Sequence, residues 1–218
     1  AAHRAVDGLA DLGTYRVSNV TILLLADQFR PLGEPLPEAT PDDPTPTRPR
    51  ELLAQAWDPT SGAPLGDCRM TLFLWGAGGV TADFPTTMAH ELFHCVQYAT
   101  LSPEQMQTFG SRGDWWIEGS AEYFAAHAIP DSVGTASWGS DFDTAVAMHT
   151  PLYQMSYGAV IFFYWLDQHR GITGLMPFLS GMSATGGDAG QRAAMRDTMS
   201  DEEWLDFAKA YIDETIAH

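Results

Sequence analysis

His90-Glu91-Leu92-Phe93-His94 sets two imidazoles four residues apart with a carboxylate beside the first. Four residues carry an α-helix through ~400°, so both rings point the same way, ~6 Å apart, and can share one metal ion. Glu91 lies too close to His90 to join them as a ligand on that face, but its carboxylate can hold the water of an open zinc position. A chain with seven histidines and ten glutamates shows this pattern by chance about once in a hundred, so the surrounding sequence has to support it.

Working outward, residues 69–75 (RMTLFLW) read as a strand that ends at Gly76-Ala77-Gly78-Gly79. Asp83 offers an N-cap to a helix over residues 84–99, with Met88, Leu92, Cys95, Val96 and Ala99 as its apolar stripe and the histidines on a different face. Further upstream, residues 1–12 follow a helical pattern, residues 19–26 (NVTILLLA) read as a buried strand, and residues 31–49, with seven prolines, read as a loop. Downstream, a helix is expected over Asp114–Ala128, and others over 152–169, 172–180, 188–199 and 201–217, the last opening on Asp201-Glu202-Glu203. Strands come first and helices later. The expected class is α+β: one domain over residues 1–218, a small N-terminal sheet followed by a mainly helical C-terminal half.

The net charge of −17, from 28 acidic against 11 basic residues with Lys209 the sole lysine, leaves no basic stripe to neutralise phosphates. Nucleic acid and anionic membrane are therefore excluded as partners, and the apolar run 160–166 is far short of the ~20 residues that cross a bilayer. The chain starts on Ala1 rather than Met, which reads as a trimmed, soluble protein, expected to be a monomer. Cys68 and Cys95 can close one disulfide, which suits a secreted, extracellular protein. Cys95 follows His94 directly, so it is rotated ~100° from the metal face and is not a ligand. Asn19-Val20-Thr21 matches a glycosylation sequon but sits in the expected strand.

A catalytic zinc needs a third protein ligand beyond the first helix. Glu118 and Glu122, four apart in Trp115-Trp116-Ile117-Glu118-Gly119-Ser120-Ala121-Glu122-Tyr123, are the two candidates. Gly119, Ala121 and Ala125 are small enough to let this helix approach the first.

HExxH followed by W-x-x-E-G-x-A-E-Y resembles the gluzincins, zinc peptidases that take a glutamate from a second helix; thermolysin-like and aminopeptidase N-like enzymes are their best-known branches. The likeness covers residues 69–170 and is specific at HExxH and EGxAE. It implies a zincin-like fold, one Zn2+ held by His90, His94 and Glu118, Glu91 as general base, and Glu122 bonded to the outer nitrogen of a liganding histidine. It further implies hydrolysis of a peptide or protein substrate, with an oxyanion donor from a later helix: Tyr157 first, Tyr153 second, His149 third. Zincins pair an extended peptide with an edge strand just before the metal helix, which points to residues 69–75.

Two departures sharpen the reading. Thr100 stands where a metzincin extension would begin, and Gly76 to Gly79 carry no acid to hold a substrate's amino terminus, which puts an endopeptidase ahead of an aminopeptidase. The alternative from another class is a catalytically inactive zincin-like domain that binds peptide or protein. A closed structural zinc site is disfavoured by Glu91 beside a three-ligand set, and a serine hydrolase by the lack of a G-x-S-x-G elbow. Ca2+ would fall to Asp131, Asp141 and Asp143 in an expected loop, though their spacing fits no EF-hand. His3, His127, His169 and His218 are expected at the surface with nothing gathered around them.

Overall fold

Among the described residues, three strands make one sheet in which the third in sequence lies between the other two. The computed structural model describes residues 2–13, 19–25, 54–57, 67–73, 84–108, 113–130, 136–184 and 187–217. Strand β3 (Asp67–Phe73) lies in the middle, parallel to β1 (Asn19–Leu25) with Val20 opposite Cys68, and antiparallel to β2 (Ala54–Trp57) with Ala56 opposite Met70. Both hydrogen-bonding edges of β3 are therefore taken. The expectation that the strand before the histidine-bearing helix is an edge strand is corrected: among the described residues the antiparallel edge is β2. The expected burial of β1 is corrected too, since Val20, Ile22 and Leu23 stay 40–53% exposed on a strand that, among the described residues, pairs with β3 alone.

Strand alternation sends Cys68, Met70 and Leu72 to one buried face while Arg69 stays exposed. Helix α2 (Phe84–Thr100) packs on the sheet, and a Cys68–Cys95 disulfide with Cα atoms 5.3 Å apart ties β3 to it. That bridge is the one expected, and it fits an oxidising compartment. Residues 88–97 of α2 are all buried, histidines included, so the helix is covered on every side rather than along one stripe.

Helix α4 (Asp114–Ala128) packs against α2, with Phe93 and Phe124 stacked at 5.0 Å. Helix α1 (Ala2–Asp11) lies on both, its Gly8 so close to α4 that a Cβ would stand 2.9 Å from that of Ala128. The short α3 (Pro103–Met106) opens with a Ser102/Gln105 capping box.

Residues 152–169 do not form the single helix their apolar periodicity suggests. Two 3₁₀ turns, Leu152–Gln154 and Tyr157–Ala159, precede α6 (Val160–Arg170), because Pro151 sets an extended start and Ser156 leaves helical geometry at φ −124°, ψ −117°. Helix α5 (Ala136–Ala147) occupies part of the expected aspartate loop. Asp141 and Asp143 thus lie exposed on a helix, Asp143 accepting from the Tyr211 hydroxyl at 2.8 Å, and they form no calcium loop.

Helices α7 (Leu175–Ser180), α8 (Asp188–Thr198) and α9 (Asp201–Ile212) close the core around Trp115, Phe162, Phe163 and Phe178. No described helix is long and apolar enough to cross a membrane. The expectations for residues 31–49, Gly76 to Gly79, Asp83 and Asp131 fall outside the described residues.

Candidate metal centre

His90 and His94 stand one turn apart on α2, and Glu118 comes from the second turn of α4, which crosses beside it. All three side chains are buried. Their donor atoms form a triangle: His90 Nε2 to Glu118 Oε2 is 3.0 Å, His90 Nε2 to His94 Nε2 is 3.0 Å, and His94 Nε2 to Glu118 Oε2 is 3.6 Å. Around a tetrahedral zinc with bonds of ~2.0–2.1 Å, donor atoms stand roughly 3.3 Å apart, so the three atoms fit one ion. Among the described residues this is the group of histidines, cysteines and carboxylates able to hold a metal.

Burial, the largest influence on His90, lowers its pKa, yet the Glu118 hydrogen bond and the charges of Glu122, Glu118 and Glu91 outweigh it and raise the value from 6.5 to about 9. Burial alone would raise the Glu118 pKa, but hydrogen bonds from His90 and His94 and their charges hold it well below the usual carboxylate range. Without metal, a proton on His90 Nε2 sits between Glu118 and His94 and supplies the positive charge the triad requires.

Because folding raises the His90 pKa, the metal-free protein has the full stabilisation below pH 6.5, loses it as pH rises, and has none above about 9. A metal ion has to displace that proton, so uptake releases it and affinity increases across the same window. Chelated protein should therefore melt at a lower temperature at about pH 9.5 than at about pH 6, while zinc-loaded protein loses less or gains. Equal pH slopes with and without zinc, measured by scanning calorimetry, would sink this assignment of charge.

Glu122 lies one turn after Glu118. Its Oε1 is 3.7 Å from His90 Nδ1, beyond hydrogen-bonding length, and Nδ1 is buried without a partner among the described residues. The second nitrogen of His90 thus faces the carboxylate expected to bond it, from slightly too far. Oε1 of Glu122 instead accepts from Trp138 Nε1 at 3.0 Å, and burial raises the Glu122 pKa against the pull of the His90 charge and that hydrogen bond.

Tyr157 stacks on His90 at 5.8 Å and on Trp138 at 4.9 Å. Its phenol is held far above the ordinary tyrosine range by burial, by the Glu118 charge, and by a hydrogen bond to the same carboxylate. It therefore stays an O–H donor at any working pH. Gly119 makes this approach possible, since a Cβ there would stand 3.0 Å from Ala159 Cβ and from Phe163; its close neighbour is the Tyr157–Ala159 turn, not the expected α2.

Other candidates lie apart from the triad. Tyr153 is buried with its hydroxyl accepting from Arg192 Nε at 2.7 Å, and His149 is exposed after α5 at φ 59°. His127 and His169 are not solitary as expected: His127 pairs with Asp11 at 3.0 Å, and His169 stacks on Trp165 within 3.6–3.7 Å of Glu203 and Asp206. Glu91 is buried, and its charge acts on both His90 and Tyr157.

Two neighbours carry no sequence signal. Gln97, one turn beyond His94, bonds its ring, and Trp138 bridges Glu122 and Tyr157 from a stretch of Gly, Ser and Asp that resembles a loop. In comparisons with known proteins, the chain matches no family model, no curated protein and no solved structure.

Proposed function

We propose that this chain is a secreted zinc-dependent endopeptidase of gluzincin type with a zincin-like fold. The observation that carries the reading is the buried His90, His94 and Glu118 triangle with a neutral phenol, Tyr157, stacked on His90 and a further buried carboxylate, Glu91, whose charge acts on both. Two histidines and a carboxylate are a donor set of catalytic zinc sites, which leave one position open. When bound there, zinc supplies Lewis acidity that acidifies water and polarises a carbonyl.

The remaining chemistry belongs to the side chains. Glu91 takes the proton of the attacking water and passes it to the leaving amine. Tyr157, which keeps its proton, donates to the oxygen on which negative charge develops. An extended substrate lies along β2, the antiparallel edge strand that also contacts α2. A cavity of about 230 Å³ bordered by Trp138, Met155 and Tyr157 adjoins the stacked rings and can take a substrate side chain.

The test is to strip the protein with a chelator, reload it with zinc, incubate it with a peptide library and an unfolded protein, and map the cuts by mass spectrometry. Zinc-dependent cuts within the peptides are expected. Removal of single amino-terminal residues would make it an aminopeptidase, and zinc uptake with no cleavage of any substrate would leave the peptide-binding domain in its place.

A further inference from the structure

Gln97 is fully buried, 0% exposed, in a helix stretch that is otherwise apolar after His94. One terminal atom of its amide lies 2.7 Å from His94 Nδ1, and the other lies 2.9 Å from both Ile117 O and Ser120 Oγ. The orientation of the amide follows from those two neighbours. Ile117 O can only accept, and Ser120 Oγ gives its own hydrogen to Trp116 O at 2.6 Å, so it too accepts from Gln97. The atom between two acceptors is the NH2, and the atom facing His94 is the carbonyl oxygen. An oxygen that can only accept requires Nδ1 of His94 to carry a proton, so in the neutral ring it is Nε2, on the side of His90 and Glu118, that keeps a lone pair for a metal.

We propose that Gln97 is the positioning residue of the metal centre: locked by α4, its amide oxygen fixes His94 in the Nδ1–H form and aims Nε2 at the ion. This rests on the zinc reading above. It assigns the orienting partner of His94 to the helix that carries both histidines, whereas His90 Nδ1 only faces Glu122 of α4 at 3.7 Å. The bonds to Ile117 and Ser120, which flank Glu118 in sequence, prevent the amide from turning over.

Gln97→Met and Gln97→Glu both lose the two bonds to α4, but only Gln97→Glu keeps an acceptor for Nδ1–H. Zinc affinity, measured by chelator competition, should fall 10- to 100-fold in Gln97→Met and recover most of that in Gln97→Glu. A purely structural tie between α2 and α4 predicts equal losses, or a greater loss for the buried carboxylate, and either result overturns the proposal. In the zinc-loaded wild type, long-range ¹H–¹⁵N spectra should place the His94 proton on Nδ1 and the metal on Nε2; the reverse overturns the proposal even if a variant fails to fold. A wild type that takes up no zinc removes the metal centre and this role with it. Zinc uptake by the wild type with Gln97→Met within about threefold of it removes the role of Gln97 alone.

Discussion

Glu91→Gln should abolish zinc-dependent peptide cleavage while leaving zinc content and melting temperature close to wild type. The amide keeps the size of the carboxylate and can still hold a water, but it cannot take the water's proton. General acid–base catalysis is worth ~10²–10⁴-fold, so kcat/KM should fall at least that far. The effect on structure should be small, because Glu91 is not one of the three groups of the triangle and its charge only adds to the larger influences of Glu118 and Glu122 on His90. Its loss removes one negative charge from the buried cluster, so the His90 proton and a zinc ion should both be held slightly less firmly. Activity, metal content and stability are measured on one preparation, with metal by atomic emission and cleavage on the best peptide from the library. Cleavage retained within a few-fold would exclude Glu91 as the base, and with it the gluzincin mechanism.

The parts legible in the sequence were those in which local pattern and tertiary role coincide. Helices α2 and α4 announce themselves because the i, i+4 histidines and the Glu-Gly turn are local features of helices long enough to survive any packing. The Cys68–Cys95 bridge was equally legible, since two cysteines allow one pairing. Strand β2 was not. Ala-Gln-Ala-Trp has little β propensity and no alternation, and it becomes a strand by pairing with β3 across a gap in sequence. Helix α5 was hidden by glycine, serine and aspartate, weak helix formers that local reading assigns to a loop.

The resemblance ranked Tyr157 ahead of Tyr153, but what sets the two apart in space lay beyond any pattern. Both stand near the start of one apolar run, and what separates them is the contact of Gly119 with Ala159, which draws one tyrosine to His90 while Arg192 holds the other. Gln97 was invisible for a related reason. An amide in an apolar helix reads as an exception until its partners on α4 are in place, and only then does its orientation decide which nitrogen of His94 carries the proton.

His94→Ala and Glu118→Ala should each cost most of the zinc, and Glu122→Ala little of it. A structural zinc site in a folded peptide is worth ~10–16 kcal/mol, so one of its ligands accounts for roughly 3–4 kcal/mol, or 10²- to 10³-fold in affinity. Glu122 faces His90 Nδ1, the nitrogen turned away from the triangle, at 3.7 Å, so its removal should weaken zinc by about tenfold through the orientation of that ring. The metal-free proteins give a second ordering. Glu118→Ala leaves the His90 charge buried without its hydrogen-bonding carboxylate, so His90 should release its proton well below the wild-type value of about 9, and stability at neutral pH should fall by ~3–5 kcal/mol as for a broken buried pair. Glu122→Ala removes a charge but not that hydrogen bond, so the His90 pKa should drop less, with a smaller loss of stability. Chelator competition and calorimetry on the three variants separate the assignments. Zinc retained in Glu118→Ala and lost in Glu122→Ala would move the third ligand one turn along α4, and zinc retained in His94→Ala would remove the metal centre from this face of α2 altogether.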